Sequence, residues 1–203
     1  ERLVAESGLP FVVMRPSILI GTSDTGRYSG KRYGVYQQWM GLERLACDRY
    51  HGDFHVVSSD QPLNLLHQDA FCQAFVYGHA WLPDGAFMNM VSASDTSPSL
   101  RDVWDMWFQV TRPHTIYYYD NMQDVPVMQI HTRQRAFLSF AEINIQIAAH
   151  HWRFDNGWLQ QLRHKGMRFN DASSSSLQGC LKRFVATSEV MHKYLTNHGP
   201  NLA

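Results

Sequence analysis

Apolar residues run without a break from Phe11 to Met14, between Pro10 and the pair Arg15-Pro16. The run is rich in β-branched and aromatic side chains and too short for an independent helix. It predicts a strand buried on both faces, as in a parallel sheet. Pro16 has no N–H for a ladder, so pairing is expected to stop or reach an edge there. Ser17 to Gly21 then lie beyond the strand's carboxyl end, where ligands sit in open α/β sheets.

The pattern around this strand alternates between two periods. Glu1 to Ser7 reads as helix closed by Gly8 at the C′ position, with Pro10 just beyond it. Residues 33–45 place apolar side chains at 35, 36, 39, 40, 42 and 45, which is helical spacing. Tyr36 and Trp39 on that stripe suit a core or a ligand wall. Val56-Val57 and residues 62–66 read as short extended segments. Asp69 is placed to cap a helix over 70–81 whose face carries Phe71, Phe75, Val76 and His79. A turn at Pro83-Asp84-Gly85 leads to an alternating strand over 87–91. Ser97-Pro98 reads as N-cap and first position of a helix over 98–110, with Leu100, Val103, Trp104 and Trp107 on one side. Repeated turn, strand and helix predict an α/β fold.

After Thr111-Arg112-Pro113 the character changes. Residues 117–119 and 125–130 read as short strands or loops, 134–152 as a long helix, and 158–162 as a short one. Ser173 to Ser176 form a polar linker able to cap a last amphipathic helix carrying Leu177, Leu181, Phe184, Val185 and Met191. The expected division is therefore an α/β part over 1–110, with segments of a substrate cleft, and a mostly helical cap over 111–203. No internal repeat is visible.

Composition removes several function classes. Basic and acidic side chains balance at 18 each over 203 residues, so nothing favours nucleic acid or an anionic membrane surface. No apolar run approaches the ~18 residues that span a bilayer. The 11 histidines are scattered, His150-His151 is their one adjacent pair, and no H-E-x-x-H occurs, so no metal site is expected. Cys47, Cys72 and Cys180 are odd in number and far apart, which fits a reduced, cytoplasmic setting. The start at Glu1 is not a signal peptide and reads as the middle of a helix, so a fragment lacking its natural N-terminal portion is expected. Gly21 to Gly26 is a polar loop with two glycines. It has neither a Gly-Lys-Ser/Thr ending nor the G-x-G-x-x-G spacing, leaving a surface turn or a loop at a substrate entrance.

Several segments, in this order and spacing, resemble the extended short-chain dehydrogenase/reductases, and within them the thioester-reductase and fatty-acyl-reductase branch. Phe11-Val12-Val13-Met14-Arg15-Pro16-Ser17-Ile18-Leu19-Ile20-Gly21 is similar to the family's "RPS-x-x-x-G" strand, and Ser23-Asp24-Thr25-Gly26 to its "S-x-T-G" loop. Leu63-Asn64-Leu65-Leu66-His67-Gln68-Asp69 resembles "N-x-V-x-V-D". Phe87 to Val91 with Ser97 to Leu100 resembles "F-N-L … S-x-x-E-L", and Arg153-Phe154-Asp155 resembles the late "F-D". Glu1 to Pro10 looks like the helix and turn that follow the catalytic Tyr-x-x-x-Lys. The resemblance covers about half of the chain well, and 111–203 weakly.

The resemblance implies the C-terminal part of a Rossmann-type parallel sheet with a helical substrate-binding cap. It implies nicotinamide contacts from Pro16, Ser17, Ile18 and Ile20, and a substrate wall including Ser23, Thr25, Tyr36 and Trp39. The cofactor implied is NADP or NAD, held together with an absent N-terminal Rossmann half. The substrate implied is a small molecule or an acyl-carrier-linked chain, reduced at a carbonyl or acyl thioester. The departures are equally plain. There is no G-x-x-G-x-x-G to hold a pyrophosphate. Tyr28 and Lys31 are one residue too close for Tyr-x-x-x-Lys. No catalytic residue is therefore assigned within the chain. Two other readings stay open. One is a sugar-nucleotide epimerase or dehydratase of the same superfamily, although the Asn usual soon after the strand is replaced here by Ser17. The other is a non-catalytic binding module that kept the fold. Assembly as a homo-oligomer is also left open.

Overall fold

The computed structural model describes residues 1–46, 52–93, 95–111, 115–150 and 152–198. Cys47, Arg112-Pro113 and His151 lie outside the described residues. The chain is α/β, and the strands among the described residues form three parallel pairs. Strand β1 (Val12–Pro16) pairs with β5 (Ala86–Met90), in register from Val12 opposite Ala86 to Pro16 opposite Met90. Strand β2 (Ile18–Ile20) pairs with β4 (Leu65–His67). Strand β3 (Phe54–Val57) pairs with β6 (Ile116–Tyr119).

The chain changes partner at Ser17. Its N–H donates to the Met90 carbonyl at 3.0 Å, and the next N–H, from Ile18, donates to Asn64 at 3.1 Å. Successive N–H groups of a strand point to opposite edges. Ser17 still points to β5, so Pro16 turns its nitrogen to the other edge, where a missing proton breaks no ladder bond. The proline thus lies within the paired strand. Among the described residues β1 has no strand on that second edge. This corrects the expectation of burial on both faces: Val12, Val13 and Met14 are half-buried, and Arg15 and Pro16 are exposed. Arg15 is held instead by the Glu1 carboxylate, at 2.7 and 2.6 Å.

Among the described residues eight α-helices surround the strands. They are α1 (Arg2–Ala5), α2 (Val35–Ala46), α3 (Gln68–Trp81), α4 (Leu100–Thr111), α5 (Thr132–Ala149), α6 (Gly157–His164), α7 (Ser174–Ala186) and α8 (Glu189–His198). Three differ from the sequence expectation for local reasons. Asp69 does not cap α3, which follows β4 without a loop and has His67 at its N-cap. Helix α4 is capped by Ser99 rather than Ser97: the Ser99 N–H donates to the Asp102 carboxylate at 2.7 Å, and Asp102 N–H donates back to Ser99 Oγ at 3.1 Å, a reciprocal box. The last helix is two, because Ser188 breaks it and its Oγ accepts the Met191 N–H at 3.1 Å. The Ser173–Ser176 stretch caps α7 as expected, and it does so as a reciprocal box between Ser173 and Ser176.

Two cores lie either side of the strands. The larger joins α2, α4, α5 and α7 around Trp39, Trp104, Trp107, Phe137 and Phe184. Trp39, Trp104 and Trp107 are fully buried, and their rings meet Phe184 or Phe137 at 5.7, 5.9 and 6.2 Å. Such tilted contacts add to the area that these large side chains remove from water. Residues before and after position 110 contribute to this core alike. The smaller core, around Leu66, Ala74, Met88 and Leu162, seats α3 and α6 on the strands.

Candidate functional site

Beyond Pro16 the carboxyl end of the β1–β5 pair meets the amino end of the β2–β4 pair. A cleft opens there. It comprises hollows of about 470 and 370 Å³ that share Pro16, Ser17, Ile18, Leu63, Ile147 and Ala148. In the first, the far wall is the end of α5 and the chain after it, with Trp152 stacked on Phe154 at 6.2 Å. The Trp152 indole N–H donates to the Ile147 carbonyl at 3.0 Å, which fixes that wall. The second runs between α2 and α5, past Tyr28, Tyr33, Gln38 and Asn144. An apolar cleft with a few convergent polar groups is the usual form of a small-molecule site.

Two of those polar groups are orphans. Ser17 Oγ and both amide atoms of Gln38 are sealed from solvent with no partner among the described residues. Gln38 is 1% exposed. Buried polar atoms without partners are uncommon and costly, and these belong to residues of the cleft wall.

The Gly21–Gly26 loop is built differently. The N–H groups of Gly21, Thr22, Ser23, Thr25 and Gly26 are all engaged, by the Tyr36 hydroxyl, the Arg27 carbonyl, Asp69, Asp24 and the Thr22 carbonyl, at 2.7 to 2.9 Å. Hydrogen bonds from Thr22 and Thr25 hold the Asp24 carboxyl below its ordinary range, so the loop also carries a fixed negative charge. Five of the six amides are thus taken, and the carboxylate on the loop repels a phosphate. His67 closes the back of the loop. Its Nδ1 meets the Gly21 carbonyl at 2.6 Å, which makes that nitrogen the donor, and its Nε2 meets Ser176 Oγ at 3.0 Å.

The structure separates the expected site residues. Pro16, Ser17 and Ile18 line the cleft together. Ile20 is fully buried and is not a lining residue. Ser23 is held away from the cleft: its N–H and Oγ donate to Asp69 at 2.9 and 2.6 Å, and its Oγ accepts from Asn170 at 3.2 Å. Thr25 is exposed and bonded to Thr22 at 2.7 Å. Trp39 is in the core. Tyr36 is buried too, and burial raises its phenol well above the ordinary range, so it stays protonated. The sequence reading missed Gln38, which sits on the helical stripe next to Trp39, and the Trp152–Phe154 wall, whose position depends on a fold over residues far apart in sequence. A polar residue between two apolar ones on a buried helix face was the available signal for Gln38.

Two solved structures share this architecture. One is the terminal R domain from the myxalamid PKS-NRPS biosynthetic pathway, with a TM-score of 0.59 and 18% identity over 91% of this chain and 46% of that one. The other is RMD from Pseudomonas aeruginosa complexed with NADPH, with a TM-score of 0.53 and 14% identity over 92% of this chain and 51% of that one. The chain shares its fold with both. It spans about half the length of these solved structures. No protein-family model and no curated protein matches it in sequence.

RMD is complexed with NADPH, and the cleft can be compared with what such a molecule needs. The unpartnered Ser17 hydroxyl beside Pro16 and Ile18 suits a carboxamide, which needs hydrogen bonds within an apolar pocket. The loop at 21–26, with five amides taken and the Asp24 carboxylate upon it, does not suit the pyrophosphate. No group of three or more His, Cys, Asp or Glu side chains among the described residues could hold a metal ion. No described helix is long and apolar enough to cross a membrane.

Proposed function

We propose that this chain forms the substrate-side half of an NAD(P)-dependent oxidoreductase that reduces a carbonyl or acyl thioester. The observation that carries the reading is the orphaned Ser17 hydroxyl, at the point where the strand changes partner and the apolar cleft opens. Ligands of open α/β sheets bind at such a point. A nicotinamide, when bound, supplies the hydride. Ser17 with Pro16 and Ile18 orients the carboxamide. Leu63, Ile147 and Ala148 exclude water from the reacting carbonyl, and the Trp152–Phe154 wall accommodates the acyl chain. A proton donor is not supplied from this side. Tyr36 is locked neutral in the core, burial likewise raises the Tyr28 phenol, and the Tyr28 O–H donates to the Lys31 carbonyl at 2.9 Å. The acid and the pyrophosphate cradle belong, in this reading, to an N-terminal Rossmann half seated on the open edge of β1. The substrate is a small molecule or an acyl chain on a carrier, and the setting is cytoplasmic.

The test is thermal unfolding of the full-length polypeptide with NADPH, NADH or neither. A ligand at about 100 times its Kd stabilises the native state by about 2.7 kcal/mol, so a clear rise in Tm is expected with one nucleotide or both. Ser17→Ala should keep the ligand-free Tm and lower the nucleotide-induced rise. No rise with either nucleotide would sink the reading.

A further inference from the structure

Several arginines lie against carboxylates, among them Arg2 on Glu6, Arg15 on Glu1, Arg101 on Asp105 and Arg163 on Asp171. Arg27, Arg32 and Arg183 have no such partner among the described residues. All three line one hollow of about 260 Å³, and no acidic residue lines it. The backbone builds this convergence. Gly26 has φ +64°, and a Cβ there would stand 2.7 Å from the Gly179 carbonyl oxygen. Only glycine lets the 21–26 loop lie directly on α7, which sets Arg27 beside the helix that carries Arg183. The Arg32 guanidinium lies over the Phe184 ring, 5.1 Å from its centroid. That contact holds Arg32 toward the same hollow.

Three guanidinium groups gathered without a countercharge repel one another, and an anion relieves the repulsion. Guanidinium forks match phosphate oxygens in pairs, with charge-assisted hydrogen bonds. The hollow also adjoins the apolar cleft. Tyr28 lines both and stacks on Tyr36 at 4.2 Å. We propose that Arg27, Arg32 and Arg183 bind a phosphate group carried by the same ligand whose apolar part occupies the cleft. The ligand is thus a phosphate ester with an extended, largely apolar body. The site needs the cleft to hold a ligand and does not need that ligand to be reduced.

Calorimetric titration of the full-length polypeptide with inorganic phosphate, octyl phosphate and octanol tests this. Octyl phosphate is expected to bind roughly tenfold tighter than either of the others, because it uses both parts of the site. In an Arg32→Gln/Arg183→Gln variant its affinity should fall by about tenfold, the loss expected for charge-assisted bonds, while octanol binding stays the same. Should that variant fail to fold, Arg27→Gln alone, which touches no ring or ion pair, should show a several-fold loss of octyl phosphate. Equal affinity for octyl phosphate and octanol would overturn the proposal. So would equal affinity for octyl phosphate and inorganic phosphate, which marks a free-ion site, or unchanged octyl phosphate binding in the arginine variants. Nucleotide-induced stabilisation of the same variants separates this result from the reductase reading: it should persist whether or not the phosphate site is real.

Discussion

Gln38 is the residue whose chemistry and surroundings conflict most. It sits in the interior of α2 with an amide that neither donates nor accepts. Each unsatisfied buried group costs about 1–3 kcal/mol. Methionine has the same reach without the polar atoms and is an equally good helix former. Gln38→Met is therefore expected to raise stability by about 1 kcal/mol or more, read as a Tm increase of roughly 2–4 °C per kcal/mol. If instead the variant unfolds at a lower temperature in calorimetry, the amide has a structural partner and its place in the cleft wall has another reason. At this scale the sequence was legible where chemistry is local and illegible where it is not. Ser173 and Ser176 are three residues apart, and the capping of α7 by this serine run was readable. The oxygens of Asp69 go to Ser23, 46 residues away, so a good capping residue is not free to cap. Tyr36 and Trp39 carry no mark in the sequence that distinguishes a core from a ligand wall. Only the packing of Phe184 against both decides it.

Among the elements, the joint between the 21–26 loop and α7 is the most constrained. It places the Arg27 side of the loop, the Tyr36 hydroxyl and the His67 ring in one arrangement. The two glycines that meet there have opposite needs. Gly26 is left-handed and abuts the α7 backbone, whereas Gly179 is helical and would turn a Cβ into open space. Gly26→Ala is expected to destabilise by about 2 kcal/mol or more, through the left-handed backbone and the clash with a main-chain oxygen that cannot rotate away. Gly179→Ala should stabilise by up to about 1 kcal/mol, the helix-propensity difference. Urea unfolding of the pair reads both, and a loss of stability in Gly179→Ala would show that the loop approaches α7 from a different side. The sequence presented both glycines but not this difference, since a positive φ and a close approach are properties of the assembled joint. Helix and strand positions were legible through apolar period, because burial on one face imposes it. The partner change at Ser17 was legible only in part. Pro16 announced a limit to pairing, and the structure places that limit at the outer edge of the strand.

On the scale of the whole molecule, the open edge of β1 and the helix beside it govern behaviour in solution. A strand edge without a partner presents free backbone N–H and C=O groups and is a template for pairing. Next to that edge lies a hollow of about 500 Å³ lined by Val12, Met14, Phe75 and Leu82. Phe75, Val76 and Trp81 are 54, 65 and 58% exposed on α3. Scattered exposed apolar residues are ordinary, but a patch beside an unpaired parallel strand is not. Parallel sheets in α/β proteins are almost always covered on both faces. The 203-residue chain alone is therefore expected to self-associate, with a sedimentation coefficient that rises with protein concentration. Phe75→Lys/Val76→Lys places two charges on the patch and leaves the buried side of α3, with Ala70, Ala74 and Gly78, untouched. It should shift the chain toward monomer while the far-ultraviolet spectrum stays the same. In the proposed full-length protein a second α/β segment covers the same edge, so there the double lysine variant should instead weaken the seating of that segment and lower Tm. A wild-type chain that sediments as a monomer at every concentration would show that the β1 edge needs no cover, and would remove the main physical reason for placing a Rossmann half upon it.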